Sequence, residues 1–232
     1  MRAPLVLALV LVAEAAAGKD LVLRQRAWGP GRPKPGEEQT EYFSGGKIVI
    51  ASPRLRTIVD LKARTWTLIE LQRKSYRVVT FDDLRRARDR AAAALKRLPP
   101  AERKALGADD AISLRPTGRT AEIAGHAAKE YAVSGGAASG SVWVSEEIAA
   151  PEEAREWDQL STSLGDLPGP YAAFKAATAT LKGVPLRTDV TLPMGPGKVE
   201  SGTEVLEVRE EAPPADLLAV PAGFTRVAPP GE

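Results

Sequence analysis

The chain has 232 residues, 44% of them apolar and 27% charged, with a formal net charge of +2, no cysteine and one histidine, His126. These totals exclude disulfides, thiol nucleophiles and cysteine-ligated zinc, and they leave no second histidine for a multi-histidine metal centre. The near-balanced charge lacks the concentrated basic excess that a main partner of nucleic acid type would need.

Residues 1–17 carry Arg2, an apolar run from Pro4 to Ala13, and small residues at Ala13-Glu14-Ala15 and Ala15-Ala16-Ala17. That is the charged start, apolar stretch and cleavage site of a secretory signal peptide. The run is shorter than the about 20 residues a spanning helix needs. The expectation is an exported protein, periplasmic or secreted, with no transmembrane segment after cleavage. Without a cysteine at the cleavage point it has no lipid anchor. One domain is expected over residues 18–227, followed by a flexible tail, 228–232.

Leu21 to Ala27 reads as a first strand, and the proline-rich Gly29 to Gly36 as a loop. Glu38 to Phe43 and Lys47 to Ala51 flank Ser44-Gly45-Gly46, a hairpin signal. Arg56 to Leu61 and Thr65 to Leu71 form a second pair across Lys62-Ala63-Arg64, and Tyr76 to Val79 is another extended piece. The period then changes. Phe81, Leu84, Ala87, Ala91, Leu95 and Leu98 recur at helical steps, Thr80 and Asp83 make a capping box, and Pro99-Pro100 ends the helix. Asp82 with Arg86, and Arg85 with Asp89, are spaced as i,i+4 ion pairs. Glu102 to Asp110 reads as a polar linker that can hold a helical turn. Ile112 to Leu114 and Thr120 to Ala124 are extended, and Ala127 to Ser134 faces Ser141 to Glu146 across a six-residue loop, Gly135 to Gly140.

A second helix starts near Pro151, with Ala154, Trp157, Leu160 and Leu164 as its buried stripe. A third starts near Pro170, with Tyr171, Phe174, Thr178 and Leu181 on one face and Gly183 as its cap. Strand alternation returns at Val184 to Leu192. It can pair with Thr203 to Arg209 across Gly195-Pro196-Gly197. Ala215 to Leu218 suits a short helical turn and Phe224 to Val227 a closing strand. Antiparallel hairpins interrupted twice by helices indicate an α+β fold, with helices against one face of a curved antiparallel sheet.

Several short motifs in this order resemble the exported bacterial family known as domain of unknown function 4412, which is related to the LolA-like lipoprotein-carrier fold. They are Asp60-Leu61-Lys62, the stretch Trp66 to Tyr76, Gly125-His126-Ala127-Ala128-Lys129-Glu130-Tyr131, Val142-Trp143-Val144, Gly183-Val184-Pro185-Leu186 and Pro221-Ala222-Gly223-Phe224. The resemblance implies a half-open β-barrel, apolar on its concave side, with helices packed there as a plug or lid. In the carrier relatives that cavity holds acyl chains of lipoproteins.

The side chains that bear chemistry are few. His126 has only Gly125 and Ala127 beside it, which offers a general base no partner. Glu146, Glu147, Glu152, Glu153, Glu156 and Asp158 suit the positive end of a helix dipole better than a paired-acid site. Arg85, Arg86, Arg88, Arg90, Lys96 and Arg97 form a basic helix face, half offset by Asp82, Asp83 and Asp89, and read most simply as solvated. Gly135-Gly136 precedes a strand, so no phosphate loop is built there. No catalytic residue, metal site or cofactor is expected.

The reading reached is an exported, non-catalytic binding protein with a lipid or acylated ligand in an apolar cavity, a lipoprotein or another envelope protein being a possible partner. Trp66, Leu68, Tyr131, Trp143, Trp157 and Phe174 are the candidate cavity lining. A structural or protein-interaction module of the cell envelope is the second reading, and a carboxylate-dependent hydrolase the third.

Overall fold

The computed structural model describes residues 20–105, 111–164, 170–194 and 197–228. The expected signal peptide, residues 106–110 of the expected linker, Gly195-Pro196 and residues 229–232 of the tail lie outside them. The elements in chain order are β1 (Leu21–Gly29), β2 (Arg32–Ser44), β3 (Lys47–Ala51), β4 (Leu55–Asp60), β5 (Thr65–Glu70), β6 (Ser75–Thr80), α1 (Phe81–Lys96), α2 (Pro100–Ala105), β7 (Ser113–Ile123), β8 (His126–Gly135), β9 (Ala138–Ser145), α3 (Glu152–Leu164), α4 (Pro170–Thr178), β10 (Val184–Met194), β11 (Gly197–Arg209), a 3₁₀ turn (Ala215–Leu218) and β12 (Thr225–Arg226).

All twelve strands belong to one long, curved, unclosed sheet in the order β12-β6-β5-β4-β3-β2-β1-β11-β10-β9-β8-β7. Every pairing is antiparallel except the two-residue parallel contact of β12 with β6. The fold is mostly sheet with few helices. Strand β1 sits near the middle and joins the hairpins β2 to β6 on one side to β11, β10, β9, β8 and β7 on the other. Its first residues are buried on both faces, Leu21, Val22 and Leu23 all being buried, while Arg24 and Arg26 further along are half-exposed.

Ladder register separates the two faces, because residues directly opposite each other point the same way. Leu21, Phe43, Ile48, Val59 and Trp66 form one row, and Leu23, Glu41, Ile50, Thr57 and Leu68 form the next. This face carries the helices. Ala154, Trp157 and Leu160 of α3 and Leu84 of α1 pack on the cluster of Leu21, Leu23, Phe43 and Val59. Phe81, fully buried at the start of α1, lies 6.0 Å from Trp157, centroid to centroid. Phe174 of α4 packs instead with Val133, Val142, Val190 and Leu192.

The other face holds Val22, Tyr42, Val49, Ile58 and Thr67 in one row. Over its β3 to β6 portion the C-terminal segment lies as a strap, burying Leu217, Leu218, Val220 and Phe224 against Val49, Ile58 and Ile69. Arg56 fastens the strap by donating from Nη1 to the Asp216 carbonyl at 2.8 Å, and Lys47 Nζ donates to the Leu218 carbonyl at 3.2 Å.

Several local expectations need correction. Gly29 to Gly36 is a hairpin end, since β1 runs to Gly29 and β2 begins at Arg32. The prolines are accommodated because the ladder register jumps between Ala27 and Gly29, so the stretch 33–36 owes no regular donor. The Gly135 to Gly140 loop shrinks to Gly136-Ala137, because its outer residues join the strands. A Cβ at Gly135 would stand 1.9 Å from the Ala111 carbonyl oxygen, and one at Gly140 2.1 Å from that of Asp189. These glycines let neighbouring backbone close in on the hairpin. Gly183 likewise opens β10 against Ser145 and does not cap α4, which ends at Thr178. The helical turn expected in the linker is α2, which starts two residues earlier at Pro100, and Tyr171 is exposed rather than buried. The Thr80 capping box is present in full.

Candidate functional site

Between the helix-bearing face of the sheet and helices α3 and α4 lies a cleft of about 990 Å³. Strands β1 and β2 contribute Leu21, Leu23 and Phe43 to its floor, and β10 contributes Val184 and Pro185. Leu21 and Leu23 are alternate positions of β1, and Val184 and Pro185 open β10 just before its register shift. Ala154 and Trp157, one helical turn apart on α3, make one wall, and Ala176 and Leu181 another, so the walls are largely apolar.

Polar groups enter at one place on the floor. Gln25 is buried and donates from Nε2 to Glu41 Oε2 at 3.2 Å, with Thr203 beside them on β11. Glu41 is the only carboxylate lining the cleft among the described residues, and Arg155 and Lys182 are its cations. Among the described residues no group of three His, Asp or Glu side chains is disposed to hold a metal ion.

Of the six residues expected to line a cavity, Trp157 does so. Trp66 and Leu68 share the cleft's face of the sheet but stand on β5, four strands from β1. Tyr131 is in the row of Val142 and packs with Phe174 in the second core cluster. Trp143 stands on β9 in register with Glu130 and Arg187, packs against the first core cluster without lining the cleft, and has the Arg119 guanidinium 5.8 Å from its ring centroid. Leu21, Leu23, Phe43 and Val184 line the cleft and were missed. Alternation marks them as buried, but nothing local says that α3 stops short of filling the space above them.

The expected acidic group is dispersed. Glu146 pairs with Lys129 at 2.8 Å, Glu147 accepts from the Ala127 amide at 3.1 Å, and Glu153 accepts from the Gly46 amide at 2.9 Å. The last contact ties the start of α3 to the β2–β3 turn. His126 begins β8 and has Nδ1 3.6 Å from Glu147 Oε2.

One carboxylate is held far from the cleft. Glu130 on β8 is 3% exposed, accepts from Thr117 Oγ1 at 2.7 Å, and is gripped by two nitrogens of Arg119. Burial pushes its carboxyl up, but the Thr117 hydroxyl and the Arg119 guanidinium outweigh that and hold it below the usual carboxylate range. The pair bridges the irregular stretch of β7 between Pro116 and Thr120, so its role is to fasten an edge strand.

No protein-family model and no curated protein matches the chain. Among solved structures it is similar to an uncharacterized conserved protein from Thermus thermophilus, with a TM-score of 0.46 and 10% identity over 93% of this chain and 94% of that one. It is also similar to PNGF-II, with a TM-score of 0.41 and 11% identity over 91% of this chain. The chain spans 32% of PNGF-II's length. MucB gives a TM-score of 0.34 at 15% identity, over 92% of this chain and 61% of that one. Likeness at this level says nothing of what the chain binds or does.

Proposed function

We propose that the chain is a non-catalytic binding protein that holds an apolar ligand, a lipid or an acylated molecule, in the cleft beneath α3 and α4. The observation that carries this reading is an apolar space of about 990 Å³, within the range of small-molecule pockets, walled by Leu21, Leu23, Phe43, Trp157 and Val184. Gln25, Glu41 and Thr203 on the floor and Arg155 and Lys182 among the lining give the polar end of an amphipathic ligand somewhere to lie. On this reading the sheet is the half-open barrel of the LolA-like fold, its concave side the one that carries the helices. The apolar start of the sequence supports an exported protein, which N-terminal sequencing of envelope material would test.

Native mass spectrometry after detergent-free purification tests the binding reading. A lipid-sized mass adduct that is lost when Leu23→Gln and Ala154→Trp are combined supports it. A clean apo mass, with no uptake of added fatty acid, refutes it. A protein-interaction module is the second reading, favoured by the free edge of β7, whose side chains are mostly exposed. Crosslinking that captures a defined protein on β7, without bound lipid, selects it.

A further inference from the structure

We propose that the outer face of α1 docks the protein on an anionic lipid surface. The inference starts from which of the helix's charges are already matched. The arginines of the first turns fold back on the acids at its start: Arg85 pairs with Asp82 at 3.0 Å and Arg86 with Asp83. This i,i+3 arrangement replaces the i,i+4 pairs that the spacing suggests, and it uses up the carboxylates near the N-terminus. From there to Lys104, two acids, Asp89 and Glu102, stand against Arg88, Arg90, Lys96, Arg97, Arg103 and Lys104, a local excess of +4 in a chain whose total is +2. Arg90, Lys96, Arg97 and Lys104 are exposed and have no ion-pair partner among the described residues. The sheet treats its cations differently: Arg24, Arg26, Lys34, Arg54 and Arg187 each meet a carboxylate.

The geometry of the helix favours a membrane over a protein as the partner. Arg86, Arg90 and Arg97 recur at four- and seven-residue steps and so share one side of α1, with about 10 Å between the last two. The exposed residues between them are Ala93, Ala94 and Lys96. The large apolar residues Phe81, Leu84, Leu95 and Leu98 are turned the other way and are buried or half-buried. A protein interface draws its affinity from aromatic or aliphatic anchors seated in pockets, and this face has none. An anionic bilayer needs no such anchor, since each cation near its surface is attracted independently.

The test uses the full chain and sedimentation with vesicles of phosphatidylcholine alone or with 30% phosphatidylglycerol, a composition chosen at roughly physiological anionic density. The expected result is partition to the anionic vesicles only, weakening as salt is raised. Arg90→Gln with Arg97→Gln should lower the partition coefficient about 30-fold, the product of two surface cations, while Lys198→Gln on the exposed end of β11 should leave it within about twofold. Glutamine is a good helix former, and unchanged circular dichroism would show the double variant folded. Equal binding to both vesicle types, wild-type binding by the double variant, or an equal loss in Lys198→Gln overturns the proposal. So does tighter binding to polyglutamate than to the anionic vesicles at equal charge concentration, which would assign the face to an acidic protein. The proposal stands whether or not the cleft holds a ligand.

Discussion

If the cleft takes an acyl chain, lengthening that chain must raise affinity in regular steps. A buried methylene is worth about 0.8 kcal/mol, or close to fourfold in Kd. The cleft is open on one side, so part of each methylene stays wet and the expected gain is about two- to fourfold per carbon. Its 990 Å³ equals the volume of about 33 liquid waters. A methylene takes about the volume of one water, so a sixteen-carbon chain fills about half the space. The gain should therefore continue from eight to sixteen carbons without a plateau. Calorimetric titration with saturated fatty acids, each below its micelle concentration, measures it. Ala154→Trp sets a large ring on the α3 wall beside Trp157 and should lower affinity at least about tenfold, roughly the worth of two methylenes lost. A series flat in chain length refutes the reasoning, as does a steep series that Ala154→Trp leaves untouched, since that ligand would be bound elsewhere.

Three further outcomes follow from the fastenings of the sheet. The Glu130 carboxyl is lower in the fold than its usual value of about 4.3, so it stabilises the fold above that value and the contribution is lost as pH falls through the lower folded value. Glu130→Gln should accordingly flatten the fall in stability below about pH 5 in urea titrations, and an unchanged acid limb would show that other carboxylates govern it. Gly183→Ala would set a Cβ 2.0 Å from the Ser145 carbonyl oxygen, at φ +101°, and should cost about 3 kcal/mol by chemical denaturation. Gly45→Ala, with open space around it, should cost only about 1 kcal/mol, and equal losses would remove the close-approach argument. Arg56→Met removes the donor to the Asp216 carbonyl and should loosen the C-terminal strap by about 1–2 kcal/mol. Faster proteolysis near Leu217 with the rest of the sheet still protected is the expected readout, and unchanged cleavage would mean that apolar burial alone holds the strap.

Hairpins were legible wherever the turn chemistry is short-range. Gly45 and Gly46 both take positive φ, as the two-residue hairpin requires, and Thr80 caps α1 as its spacing suggests. Elements went unseen where distant backbone sets the rule. Gly135, Gly140 and Gly183 look like loop or cap glycines in the sequence, yet each is needed because another segment comes within 2.1 Å of where its Cβ would be. The cleft was legible only through Trp157. Its floor of Leu21, Leu23 and Phe43 has the same pattern as filled core, and the contact that ties α3 to the sheet, Glu153 at the Gly46 amide, joins residues 107 positions apart and leaves no local signature.

A twelve-strand sheet that does not close must cover two faces, and this chain solves the problem differently at each place. On one face α1 and α3 pack on the first core cluster and α4 on the second, with the cleft beside α3 and α4. On the other the strap covers the apolar row of Val49, Ile58 and Ile69. Along β1 itself the change is visible within five residues: Val22 belongs to the apolar row that leads to Val49, while Arg24 and Arg26 point the same way and meet Glu38, Glu204 and Glu207 across the ladders. The row continues through Arg187, paired with Glu204, to Trp143 and the Arg119–Glu130 clamp. Cross-strand pairs of opposite charge thus take over where the strap ends, contributing a few tenths of a kcal/mol each where they are exposed, while Glu130 at the far end of the row is buried. Arg24, Arg26, Lys34 and Arg187 of the sheet are matched by carboxylates in this way, whereas Arg90 and Lys96 of α1 meet none among the described residues. The apolar space and the uncompensated charge therefore lie on separate elements, each open to a different kind of contact with lipid: one takes a chain in, the other meets a surface.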